Sequence, residues 1–99
     1  VFKLDLAKVA CIKASGDYVE LCTNSGSYLK HGTISSYEKT LGKGAFVRVH
    51  RSVIVNRDQI VSVSGPAKGQ FWIKLRDGQE IRSSRGYREA VESLMPEAP

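Results

Sequence analysis

The chain predicts a mostly β domain carrying two short helices, and three observations predict it. Apolar residues recur with a period of two over most of the 99 residues. Glycine, proline, asparagine and aspartate punctuate these runs at short intervals. Two segments alone switch to a helical period. The intervals between strands are too short for crossover helices, so antiparallel sheets are expected and a parallel α/β sheet is not.

Phe2, Leu4 and Leu6 alternate with Lys3 and Asp5, and Val9 to Lys13 forms a short apolar run. Tyr18 to Thr23 reads as a strand that ends at Asn24-Ser25-Gly26, a hairpin signal, and Ser27 to His31 returns from it. Ser35 can cap a helix, with Glu38 three residues on as the second half of a capping box. Ile34, Tyr37 and Leu41 then share one face, and Gly42 supplies the stop. Phe46 to Val49, Ser52 to Val55 and Ile60 to Ser64 are strand-like. Gly65-Pro66-Ala67-Lys68-Gly69 reads as a loop, because Pro66 cannot donate to a ladder and two glycines free the backbone. Phe71, Ile73 and Leu75 alternate with Trp72, Lys74 and Arg76. Asp77-Gly78 favours a tight turn, and Gln79 to Arg82 completes a second hairpin. Tyr87, Ala90, Val91, Leu94 and Met95 follow helical spacing, with Ser84 as cap and Pro96 as stop. Gly86 weakens the first turn of that helix by roughly 1 kcal/mol relative to alanine.

The length fits one domain, residues 1–99, and an apolar fraction of 41% supports a modest core. Fifteen Lys and Arg against ten Asp and Glu leave a formal charge of +5. The resulting pI near 9.4 lies in the range of nucleic-acid binders. Cys11 and Cys22 show no C-x-x-C spacing, too little for a disulfide framework or a zinc site, and are expected as buried free thiols of a cytoplasmic protein. No run of about 18 apolar residues is present to span a membrane, and no signal peptide is visible. The first residue is Val1, already in a strand-like pattern. The chain is therefore expected to be a domain excised from a longer protein, whose regulatory region lies upstream.

Enzyme signals are weak, and no enzymatic activity, metal or cofactor is expected. His31 and His50 stand 19 positions apart with no carboxylate pattern beside them, and no nucleophile elbow, zinc-helix motif or phosphate-cradling glycine loop occurs. Hydrogen-bond donors cluster in three places instead. Lys13-Ala14-Ser15-Gly16-Asp17-Tyr18 suggests a tight loop exposing Ser15, Asp17 and Tyr18. His50-Arg51-Ser52 sits at a strand end, where His50 either bonds a loop backbone or donates towards phosphate. Arg82-Ser83-Ser84-Arg85-Gly86-Tyr87-Arg88 opens a helix, a position favourable to anions. Arginine at such a tip can form a bidentate pair with guanine, whereas lysine and serine grip phosphate. Phe71 and Trp72 are adjacent and so point to opposite faces, which argues against a base-stacking platform. Asn56 is expected to cap local backbone groups.

The run Phe46-x-Arg48-x-His50-Arg51-Ser52-x-Ile54-Val55-Asn56-x-x-x-Ile60 resembles the signature of LytTR-type DNA-binding domains, the output modules of many bacterial response regulators. Residues 12–19, residues 32–41 and Ser84-Arg85-x-Tyr87 resemble further family segments, so the likeness covers nearly the whole chain. It implies an elongated β-β-β arrangement of small sheets with short helices. It also implies loops, instead of a recognition helix, reading the major groove at paired direct repeats in promoters. Carried over by position, base reading falls to Asp17, Tyr18 and Val19, to Arg51, and to Arg85 or Gly86. Phosphate contacts fall to Lys13, Ser15, His50, Ser52, Ser84 and Arg88. Val19 would offer only an apolar contact, such as to a thymine methyl. Gly86 stands where the family commonly has a basic residue, which passes the third base contact to Arg85.

The expected function is sequence-specific binding of double-stranded DNA by a cytoplasmic transcription regulator, with no membrane contact by this domain. The isolated domain is expected as a monomer, with pairing imposed by adjacent repeats or by the missing region. Two other classes fit the same basic β surface: an RNA or single-strand binding module, and a protein-interaction domain for an acidic partner.

Overall fold

A computed structural model describes residues 6–41 and 44–94. Ten regular elements follow in order: β1 (Val9–Ser15), β2 (Tyr18–Thr23), β3 (Gly26–His31), α1 (Ile34–Leu41), β4 (Phe46–His50), β5 (Val53–Asn56), β6 (Ile60–Ala67), β7 (Gln70–Leu75), β8 (Glu80–Arg82) and α2 (Arg88–Glu92). Short 3-10 turns occupy Leu6–Lys8, Arg57–Gln59 and Arg85–Tyr87. Five strands form one antiparallel sheet in the order β3-β2-β1-β5-β4, and three form a second in the order β6-β7-β8. The molecule is elongated, at 46 × 23 × 22 Å. The mostly β, antiparallel architecture with two short helices is therefore as the sequence predicted.

The large sheet is covered on both faces. On one face Cys11, Cys22, Val49 and Val55 pack against Phe71, Ile73, Leu75 and Ile81 of the small sheet and Val91 of α2. On the other, Val9, Ile12, Val19, Leu21 and Ile54 pack against Ile34, Tyr37 and Leu41 of α1. This explains the unbroken run Val9-Ala10-Cys11-Ile12, all fully buried: a central strand between two layers has no polar face. The β1–β2 register shifts between Val9 and Cys11, which makes Ala10 an extra residue. That shift turns Val9 onto the same face as Ile12, where strict alternation would have opposed them.

Strand β7 keeps the predicted alternation. Phe71, Ile73 and Leu75 are buried, and Trp72, Lys74 and Arg76 are exposed. Arg82 stacks its guanidinium over Trp72, 5.4 Å from the ring centre. Cys11 and Cys22 are free, buried and opposite one another across β1 and β2. The neighbouring Cys22 thiol, together with burial, pushes the Cys11 thiol well above its ordinary range, so Cys11 stays protonated.

Four local expectations need correction. The first helix is capped by Thr33, whose Oγ1 accepts from the Ser36 amide at 3.1 Å, and not by Ser35. Glu38 closes no capping box, because its carboxylate is drawn 2.9 Å from Arg48. The segment predicted as a loop from Gly65 is strand as far as Ala67. β6 lies at a sheet edge, where the missing Pro66 N–H costs no ladder bond. Gly65 takes φ +113°, and a Cβ there would sit 2.9 Å from the Gln70 carbonyl, so the close approach requires glycine. The last helix begins as a 3-10 turn, and Ser84 makes no side-chain cap bond. The start of the Phe2-Leu4-Leu6 alternation, the Gly42 stop, Met95 and Pro96 lie outside the described residues.

Asn56 has the structural role expected of it. It is 2% exposed, donates from Nδ2 to the Val9 carbonyl at 2.9 Å and accepts the Asp58 amide on Oδ1 at 3.0 Å. One side chain thus ties the start of β1 to the end of β5. Asn56→Ala leaves both backbone groups unpaired and is expected to destabilise the fold by about 1–3 kcal/mol, read as a lowered urea midpoint.

Candidate nucleic-acid interface

The three donor clusters come together. The β1–β2 turn and the β4–β5 turn emerge at the same end of the large sheet, because β1 and β5 are antiparallel neighbours paired up to Lys13 and Val53. The Ala14 amide donates to the Ser52 carbonyl at 2.8 Å, which stitches the two turns. The Ser84 amide donates to the Val49 carbonyl at 3.0 Å, which hangs the third cluster beside the second. The result is one row of three corners along one rim.

The first corner is the two-residue turn Gly16-Asp17, with Gly16 at φ +62° as a tight hairpin starting on glycine requires. The Asp17 carbonyl accepts the Gly32 amide at 2.9 Å, anchoring the turn to the end of β3. Ser15 and Asp17 are exposed, and Tyr18 projects half-exposed against the edge of the His31 ring, 5.3 Å between centroids. Val19 corrects the sequence reading. It is fully buried in the core beneath α1, because the pleat that turns Tyr18 outward turns its neighbour inward, so Val19 cannot meet a base.

The second corner is built around Arg48. Its guanidinium donates to the Arg51 carbonyl from Nη2, to the His50 carbonyl from Nε at 3.4 Å, and to Ser35 Oγ and Glu38 Oε1 from Nη1 at 3.3 and 2.9 Å. It also lies over the Tyr87 ring, 5.7 Å from its centre. This one side chain therefore joins α1, the β4–β5 turn and the 3-10 turn of the third corner. In the sequence Arg48 stands out only as a position of the signature run, with no role of its own. Nothing local announces that partners at positions 35, 38, 51 and 87 converge on it. His50 Nδ1 accepts the Ser52 amide at 3.1 Å, the backbone contact considered for it. With Nδ1 accepting, Nε2 is the nitrogen of the ring that can donate. Arg51 is exposed with its guanidinium unpartnered among the described residues.

The third corner runs from Ser83 to Arg88. Ser83 is fully buried, its Oγ accepting the Phe71 amide at 3.0 Å and its own amide donating to the Phe71 carbonyl at 2.9 Å. This clamp extends the β7–β8 pairing and delivers Ser84 to the rim. Arg85 and Gly86 are exposed, and Arg85 Nε donates to the Lys68 carbonyl at 2.9 Å. Two predicted phosphate donors are engaged within the protein. Lys13 Nζ donates to Gln79 Oε1 at 2.6 Å between the sheets, and Arg88 Nε lies 2.7 Å from Glu92 Oε1.

Arg48→Lys keeps the charge but loses the planar fork. It is expected to lower stability by about 1.5–3 kcal/mol and to speed hydrogen exchange at the Ser52 and Ser84 amides, with little change at Phe71.

Comparison with known proteins identifies the family and the fold. The family model described as the LytTr DNA-binding domain matches residues 1–95. The sensory transduction protein LytT of Bacillus subtilis is 31% identical over 78 residues, covering 79% of this chain and 32% of its own length. The sensory transduction protein LytR of Staphylococcus epidermidis is 22% identical over 92 residues, covering 93% of this chain and 36% of its own length. The chain thus spans about a third of the curated relatives it matches. A solved "LytTr DNA-binding domain" from Bacillus cereus shares the fold with a TM-score of 0.86 and 22% identity, over 94% of this chain and 85% of that one. With the signature residues at the second corner and the match running almost end to end, the chain belongs to the LytTr DNA-binding domain family.

Proposed function

We propose that this domain binds double-stranded DNA sequence-specifically, as the output module of a bacterial transcription regulator, by setting its row of corners into the major groove. The observation that carries the reading is the row itself: three corners, stitched by backbone hydrogen bonds, present Arg51, the Arg85 fork and the hydroxyls of Ser15, Ser52 and Ser84 along one rim. A rigid rim of this kind meets a rod without ordering a floppy loop, which lowers the entropic cost of binding.

In this reading Arg51 and Arg85 read bases, and Asp17 and Tyr18 contact them from the first corner, where the carboxylate can accept from a cytosine amino group. Gly86 has no side chain to offer, so its part is to let the backbone approach closely. Ser15, His50 Nε2, Ser52 and Ser84 hold phosphates and set the register. Lys13 and Arg88 reach phosphate on releasing Gln79 and Glu92. Most of the affinity comes from counterion release and falls steeply with salt. Binding sites are paired direct repeats in promoters. The isolated domain is a monomer, and dimerisation belongs to the rest of a longer cytoplasmic regulator. It performs no covalent chemistry.

Selection from a random duplex library supplies the cognate site. On that site Arg51→Ala is expected to cost about 1–3 kcal/mol and on unrelated duplex almost nothing. An equal loss on both would demote Arg51 to a phosphate contact. In the same assay duplex must outcompete either single strand of the same sequence, and the reverse order would replace this reading with single-strand binding.

A further inference from the structure

The turn between β6 and β7 is used by none of the roles above, yet it sits at the end of the row. Its two residues, Lys68 at φ +55° and Gly69 at φ +79°, join the Ala67–Gln70 pair as a two-residue hairpin turn with both positions left-handed. Asparagine or glycine occupies the first such position at the least steric cost. Lys68 is the one non-glycine residue with positive φ among those described. A lysine therefore stands, under backbone strain, at an exposed tip.

The tip is fastened to the third corner. The Lys68 carbonyl takes the Nε proton of Arg85 at 2.9 Å, and the terminal nitrogens of that guanidinium have no partner among the described residues. Gly69 packs under the arginine stem, where a Cβ would lie 3.5 Å from Cγ and 3.8 Å from Cδ. The turn and Arg85 therefore move as one unit. Among residues 66–70 and 82–88 the charged side chains are Lys68, Arg82, Arg85 and Arg88, and none is acidic. Arg82 lies over Trp72 and Arg88 is paired with Glu92 until released, which leaves Lys68 and Arg85 as the cations of this end with neither an acidic nor an aromatic partner among the described residues.

We propose that the Lys68–Gly69 turn is a fourth DNA-contacting corner, in which the Lys68 ammonium takes a backbone phosphate flanking the groove that Arg85 enters. This rests on the duplex-binding reading above. The carbonyl of the same residue fixes the Arg85 stem, so one turn sets both the phosphate grip and the angle of the base-reading fork. Lysine suits the first task as a compact charge on a flexible stem, and arginine suits the second as a planar fork.

Lys68→Asn is the test, because asparagine tolerates the left-handed backbone and keeps the carbonyl while removing the ammonium. With the selected duplex, the slope of log affinity against log salt is expected to fall by about 0.9, the value of one phosphate contact. Affinity should drop by the same factor on cognate and unrelated duplex. Ethylation of one phosphate next to the Arg85 position should weaken the wild type and leave Lys68→Asn indifferent. An unchanged salt slope, or a loss confined to the cognate sequence, would overturn the fourth corner while wild-type duplex binding left the larger reading standing. Failure of the wild type itself to prefer duplex would overturn both.

Discussion

The arrangement of this domain depends on the placement of one guanidinium. Arg48 leaves β4 with its side chain only 15% exposed and finds acceptors on the β4–β5 turn and on α1, with the Tyr87 ring against it. A charge so enclosed is tolerable only because carbonyls, a hydroxyl and a carboxylate surround it. A planar fork can satisfy partners in several directions at once, and a lysine ammonium cannot reproduce that geometry. The consequence is that the corner carrying Arg51 is held from behind. The exposed Arg51 side chain projects from a turn whose backbone carbonyl Arg48 holds.

The same logic of rigid support runs through the layers. The large sheet is sandwiched between α1 and the small sheet, so its central strands have no wet face. Among the described residues three buried polar side chains lie within this packing, and each closes a backbone gap: Thr23 at the β2–β3 turn, Asn56 between β1 and β5, and Ser83 on Phe71. Each is worth little as a net hydrogen bond but leaves a costly unpaired group if removed. They fix where strands end: Ser83 does so beside the third corner, and Thr23 and Asn56 at the opposite end of the large sheet.

The rim combines two kinds of group with different physical tasks. Hydroxyls, the Nε2 edge of His50 and lysine ammonium suit phosphate, a contact that is strong in aggregate but indifferent to sequence. Arginine forks suit base edges, where a wrong base leaves donors unmatched. On this chain the two kinds alternate at neighbouring positions, as in His50-Arg51-Ser52 and Ser84-Arg85. In the proposed mode of binding, phosphate seats a corner while its central residue reaches past the backbone.

Much of this was legible in the linear chain, because period-two hydrophobicity is a local consequence of strand geometry. Tyr18 to Thr23, Phe71 to Leu75 and the signature around Arg51 declared their strands and turns from neighbouring residues alone. The bond from the Asp58 amide to Asn56 was also readable, since an amide at a strand-to-turn junction has backbone groups within reach, whereas its bond to Val9, far off in the chain, was not. Other features required the third dimension. Thr33 and not Ser35 caps α1, because the helix already begins at Ile34, and Glu38 is claimed by an arginine ten residues on. Val19 is core and not contact, because a helix covers that face of β2. The strand through Pro66 persists because it falls at an edge. Whether three donor clusters form one rim or three scattered patches was decided by sheet order and two backbone hydrogen bonds. Local sequence sets what each segment can be, because backbone sterics and side-chain period act over a few residues. Pairing partners lie tens of residues apart, and only packing chooses among them.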